Sequence, residues 1–199
     1  MEIKGYFVID GSHLFASIET IWREKPEFKG KKLNIGKLSH ELVYIWENNI
    51  DTAVRITYYF KENDKRLDTM LIIPESNKPG EKDHWQIVEC GKNVDAIPEE
   101  ELQKIPSKYR DHFRRSEKGL DIKLTCDSLT LVASNKASSI VFLVNDRDYI
   151  PLFEAIQQMG GNVYITALDS SQSIQKKLTD LSDKYLALDD YLKVIFGLQ

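Results

Sequence analysis

Apolar residues along the chain form two patterns, short continuous runs and stripes at helical spacing. Tyr6-Phe-Val-Ile9 is a continuous run that ends in Asp10-Gly11, as expected of a strand buried on both faces of a parallel sheet. Ser12 is a good N-cap, and Leu14, Ile18, Ile21 and Trp22 then share one helical face. The polar stretch from Arg23 to Lys32, with Pro26 and Gly30, reads as a loop. Asn34 suits the cap of a second helix, whose apolar stripe is Ile35, Leu38, Leu42, Ile45 and Trp46. Thr52 to Phe60, rich in β-branched and aromatic residues, predicts the second strand. A strand, a helical pair and another strand make a crossover unit and imply a parallel sheet.

The pattern weakens between Lys61 and Gly91, where Pro74, Pro79-Gly80 and mixed charges intervene. Leu71 to Ile73 fits a short strand or part of a helix equally well, and Trp85 to Cys90 predicts a third strand closed by Gly91. Pro98, Pro106 and the cluster Lys108-Tyr-Arg-Asp-His-Phe-Arg-Arg115 mark an insertion or a loop over a site. After Gly119-Leu-Asp121, the residues Ile122, Cys126, Leu129 and Val132-Ala133 share a helical face, so Asp121 stands at or just before a helix N-terminus. Ser139 to Val144 predicts the next strand and Tyr149 to Met159 the helix after it. Gly160-Gly161 breaks the chain before a last short strand, Asn162 to Thr166. The tail from Ser170-Ser171 reads as helix-compatible, with Leu178, Leu181, Tyr185, Leu188, Tyr191 and Ile195 as its apolar positions. The expected architecture is a single three-layer α/β domain over residues 1–199, with a variable insertion at about 61–117.

Composition adds bounds but no function. The chain has 199 residues, 42% hydrophobic and 29% charged, as in an ordinary globular protein. No apolar run approaches the roughly 18 residues that span a bilayer, and Met1-Glu2-Ile3-Lys4 runs straight into a strand. A cytoplasmic protein without a signal peptide, and with no membrane partner, is expected. Cys90 and Cys126 are too few for a disulfide framework and are expected to be buried thiols. A net charge of −4 argues against a generally basic nucleic-acid coat but leaves room for a local basic patch.

The candidate chemistry lies in the acids that follow strands. Asp10 follows the first strand, and Asp146 and Asp148 follow the strand ending at Val144. Asp121 reaches the same edge from a helix N-terminus. Parallel strands present their C-terminal ends together. Each acid alone is explained as a helix cap or turn residue, but caps do not require placement at one edge. Four such carboxylates would repel without a cation, and all-oxygen ligation suits Mg2+ or Mn2+. Asp127 lies about 120° around an ideal helix from Asp121, so it is expected to support the site from outside.

Tyr6-Phe-Val-Ile-Asp-Gly-Ser-His-Leu14, Lys118-Gly-Leu-Asp121 with Asp127, and Leu143-Val-Asn-Asp-Arg-Asp-Tyr-Ile-Pro-Leu152 occur in this order. Together they resemble the three motifs of the NYN domain family, a branch of the PIN-like nuclease superfamily. Gly160-Gly161, the strand Val163 to Thr166 and the tail from Ser173 to Asp183 are also similar. The resemblance implies an α/β/α sandwich and a metal-dependent ribonuclease, with Asp10, Asp121, Asp146 and Asp148 as metal ligands. The family usually has Asn where this chain has His13, Gly where it has Asn145 and Ser where it has Arg147. Ser12 and His13 are expected to orient groups beside Asp10. Arg147 stands between two acids, where it either pairs with them or contacts phosphate.

Phosphodiester cleavage also needs cations that hold the strand. Arg114, Arg115, Lys118 and Lys123 flank Asp121 in sequence, and Tyr109, His112 and Phe113 among them suit stacking on unpaired bases. The expected partner is therefore RNA in single-stranded or looped form, with a second copy or another protein as a further partner. The alternative is a binding or regulatory module of the same fold that hydrolyses little or nothing. Asp146-Arg-Asp148 also has a superficial likeness to the DxD nucleophile motif of haloacid-dehalogenase-type phosphatases. That motif normally follows the first strand, whereas here it comes late.

Overall fold

Residues 6 to 9 alternate between two cores, which sets the layering of the whole molecule. In the computed structural model, which describes residues 2–75, 84–94, 116–171 and 174–198, Lys4–Asp10 forms strand β1. Its Phe7 and Ile9 pack into one apolar core and its Tyr6 and Val8 into the other. Helix α1 (Gly11–Glu24) follows without a linker. A two-residue strand β2 (Leu33–Asn34) leads into helix α2 (Ile35–Trp46), and strand β3 spans Thr52–Phe60. Asn34 caps α2 as expected, its side-chain oxygen accepting from the Lys37 amide at 3.0 Å. A short helix α3 (Arg66–Met70) precedes β4 (Leu71–Ile72), which pairs with β2.

Strand β5 (Trp85–Glu89) is followed by β6 (Lys92–Val94) and β7 (Ser116–Lys118), an antiparallel pair. Helix α4 (Leu120–Ala133), strand β8 (Ser139–Leu143), helix α5 (Ile150–Gln158) and strand β9 (Asn162–Ala167) complete the motif-bearing half. Helix α6 (Lys176–Leu181), strand β10 (Lys184–Ala187) and helix α7 (Leu192–Ile195) form the tail.

The central sheet has six strands in the order β10-β9-β8-β1-β3-β5, and every pairing in it is parallel. Residues of α1, α2 and α7 share one core with Phe7, Val141 and Leu143. Residues of α4, α5 and α6 share the other with Val8, Phe142 and Val144. The three-layer α/β/α sandwich is thus observed. Among the described residues, no helix is long and apolar enough to cross a membrane.

Four local readings change. Asp10, not Ser12, caps α1, because its carboxylate reaches the amides of Ser12 and His13. Helix α4 buries Leu120, Leu124, Ser128 and Val132, while Ile122 is 68% exposed and Cys126 is exposed. Apolar residues surround most of that helix, so two stripes fit 3.6-residue spacing and packing chooses between them. The tail contains the sheet-edge strand β10, because Tyr185 to Ala187 pair with β9. Its apolar spacing of three and four residues had suggested helix throughout. Cys90 is half-buried, so the expectation of two buried thiols fails outright at Cys126.

Candidate active site

The end of β1 lies between the ends of β3 and β8: Asp10 is in register with Tyr59, and Ile9 with Leu143. Asp10 therefore emerges in the middle of the sheet's C-terminal edge, with Val144-Asn145-Asp146 beside it. Its Oδ1 accepts from the amides of Ser12 at 2.8 Å and His13 at 3.2 Å. The acid thus caps α1 while its side chain is 6% exposed. Gly11 makes this geometry possible. A Cβ there would lie 2.2 Å from Phe60 Cδ1 and 2.5 Å from the Tyr59 carbonyl oxygen.

Asp121 reaches the same edge by a different route. The β6–β7 pair sets Lys118 opposite Lys92, just beyond the C-terminal end of β5, and Gly119 turns the chain into α4 with φ +106°. A Cβ on Gly119 would come within 3.2 Å of Gly91, so glycine serves both the turn and the close approach. Asp121 then lies in the first turn of α4.

Tyr149 joins the two acids. Its hydroxyl stands 3.0 Å from Asp10 Oδ2 and 2.8 Å from Asp121 Oδ1. A hydroxyl has one proton to give, so it donates to one carboxylate at a time. Burial pushes the Asp10 carboxyl up to about 6, and the Asp121 carboxylate pushes the same way. The His13 and Ser12 amides and the Tyr149 hydroxyl hold it back. Tyr149 itself is raised well above the ordinary phenol value by burial and then by the two carboxylates, so it remains a donor. Burial also lowers His13 to about 4, which leaves its imidazole uncharged at neutral pH.

Asp146 and Asp148 are exposed at the same edge, where Asp146 Oδ1 accepts from the Asp148 amide at 3.0 Å. Arg147 does not pair with either acid among the described residues. Its Nε instead donates to Gln175 Oε1, and the Gln175 amide donates to Asn145 Oδ1 at 2.7 Å. Asp127 accepts from the Tyr59 hydroxyl at 3.0 Å and from Lys123 Nζ at 2.7 Å. Lys123 is thus tied to Asp127. Lys118 closes β7, while Arg114, Arg115, Tyr109, His112 and Phe113 lie outside the described residues.

The model for the NYN domain matches residues 8–189. The chain belongs to the NYN domain family. Members of this family are generally nucleases, and the resemblance carried by the three sequence motifs is therefore upheld. Neither the curated proteins nor the solved structures contain a match to the chain.

The donor chemistry of this NYN edge fits a hard divalent cation. Its described residues offer carboxylate oxygens, and Mg2+ commonly takes only one or two protein carboxylates, filling the rest of its octahedron with water and substrate phosphate. Asp10 and Asp121 both stand within hydrogen-bond distance of one hydroxyl there. Among the described residues, no three His, Cys, Asp or Glu side chains converge closely enough to hold a metal.

Reasoning from the sequence alone missed Tyr149 and Gln175. Tyr149 had a signal: it follows Asp148 directly at the start of an apolar helix, and a buried tyrosine needs a hydrogen-bond partner. Gln175 had none, since it lies in a polar stretch thirty residues from its partner Asn145.

Proposed function

We propose that this NYN domain is a metal-dependent endoribonuclease acting on single-stranded or looped RNA. The observation that carries the reading is the Asp10–Tyr149–Asp121 link at the C-terminal edge of the sheet, with Asp146 and Asp148 exposed alongside. Asp10 and Asp121 would hold Mg2+ or Mn2+, with Asp146 and Asp148 as further oxygen ligands. When bound, such an ion supplies Lewis-acid polarisation of a phosphate and a lowered pKa for water.

The chain's own residues do the rest. The α1 amides orient the Asp10 carboxylate, and the Tyr149 hydroxyl, donating to one acid at a time, lies between Asp10 and Asp121. Arg147, steadied by Gln175, supplies a cation beside the acids for the RNA backbone. Arg114, Arg115, Lys118 and Lys123 are proposed to lengthen that track, Lys123 by leaving Asp127 for a phosphate.

Asp146→Asn tests the mechanism. With Mn2+ present, turnover of a single-stranded RNA is expected to fall by at least about a hundredfold, and wild-type turnover would sink it. A second reading, RNA binding without hydrolysis, draws support from the absence of three converging ligands among the described residues. It predicts RNA binding that survives both EDTA and the loss of the carboxylates.

A further inference from the structure

A cleft of about 340 Å3 opens beside the acidic edge, between α1 and the segment after β8. Its walls include His13, Ser17, Thr20, Arg23, Asn145 and Ser171. The acids determine where it lies. The His13 amide bonds Asp10 Oδ1, and Asn145 immediately precedes Asp146. The cleft therefore adjoins the acidic edge. The volume falls at the lower end of the range for small-ligand sites.

Charge selects the occupant. A phosphate needs an uncommitted cation, and Arg23 is the one cationic side chain among the described lining residues. Its guanidinium lies 3.4 Å from Glu24, which also lines the cleft. Asp10 and Asp146 add negative potential alongside. The inner wall offers hydrogen-bonding groups: the His13 ring, the Ser17 and Thr20 hydroxyls and the Asn145 side chain. His13 Nε2 and Ser17 Oγ are 3.5 Å apart, at the outer limit of a hydrogen bond. An imidazole beside hydroxyl and amide groups suits a flat, hydrogen-bonding ring.

We propose that this cleft receives one unpaired nucleobase of the RNA, adjacent to the phosphate at the acidic edge, and that His13 and Ser17 contribute to base preference. The proposal rests on the RNA reading above. It adds that the preference is built into α1, where the chain departs from the usual family residue at His13.

The test uses labelled twelve-nucleotide homopolymers of A, C and U with wild type, Ala16→Trp and Ser17→Ala. Ala16 is exposed and lines the cleft, so tryptophan there would fill it. Ser17→Ala removes one hydroxyl at little cost in volume, and it decides the matter if circular dichroism shows the tryptophan variant unfolded. Base discrimination is read twice, as kcat/KM with Mn2+ and as Kd from fluorescence anisotropy in EDTA. Wild type is expected to spread the three homopolymers by about tenfold or more, the size of one or two hydrogen bonds. The substitutions should compress that spread to about threefold or less while the Mn2+ dependence stays as in wild type. An equal response of wild type to all three, or a spread that survives the substitutions, overturns the proposal. Failure of wild type to cleave at any Mn2+ concentration would count against the nuclease reading alone, because anisotropy still reports on the cleft.

Discussion

Tyr149 is the residue on which the site geometry turns. Two carboxylates face one hydroxyl; Tyr149 and Asp10 are buried, while Asp121 is exposed. Tyr149→Phe removes the donor but little volume, leaving Asp10 with the α1 amides alone. A lost hydrogen bond to a charged group costs roughly 1.5–3 kcal/mol. The variant is therefore expected to unfold at lower denaturant in EDTA, by about that amount, with a weaker response to Mn2+ because the acids are no longer held together. Wild-type stability in that titration would mean that the hydroxyl does not bridge them. The acids themselves were legible in the sequence, because carboxylates directly after apolar runs stand out from the pattern. The tyrosine was not, since an aromatic at the start of an apolar helix reads first as core. Its second role depends on Asp10, which is 139 residues away in the chain.

At the level of elements, legibility followed how many patterns agreed. Thr52–Phe60 was read to the residue because β-branched and aromatic residues fill it and polar residues bound it. The buried side of α4 was misread because its apolar residues nearly encircle it. Strand β10 was missed because four residues are too few to show alternation. The junction of β1 and α1 shows the opposite case, where one residue is over-determined. Asp10-Gly11 suggests a simple turn, yet Gly11 lies inside α1 and has no positive φ. What it needs is space, since a Cβ would strike the Tyr59 carbonyl and the Phe60 ring. Alanine would gain up to about 1 kcal/mol in helix propensity, whereas forcing atoms into a packed core costs roughly 1–3 kcal/mol. Backbone contact puts this site at the upper end. Gly11→Ala should thus lower the urea midpoint and displace Asp10, reducing cleavage even where the protein is folded. A midpoint at or above wild type would show that β1 and β3 can part to admit the methyl.

Across the whole molecule, the parallel sheet gathers acids at one edge, and it does so at a cost to stability that a bound cation would offset. Asp10 is buried in the sheet's centre, and its carboxyl is raised from 3.8 to about 6. A carboxyl whose folded value lies above its unfolded one favours the fold below about 3.8 and loses that contribution as pH rises through about 6. At neutral pH in EDTA the ionised Asp10 is therefore a liability. Asp10→Asn keeps an N-cap acceptor for α1 and removes the charge, so in EDTA at pH 7.5 it should be more stable than wild type by about 1–2 kcal/mol. The advantage should shrink as pH is lowered from 7 towards 4, where wild type recovers the proton. Adding Mn2+ should reverse the order at neutral pH. Binding to the native state alone stabilises wild type by about 2.7 kcal/mol at a hundredfold excess over Kd, while the asparagine variant responds weakly and cleaves no RNA. Thermal melts of both proteins across pH, with and without Mn2+, measure each part of this. An asparagine variant less stable than wild type in EDTA at pH 7.5 would mean that Asp10 is held for the fold and not for an ion.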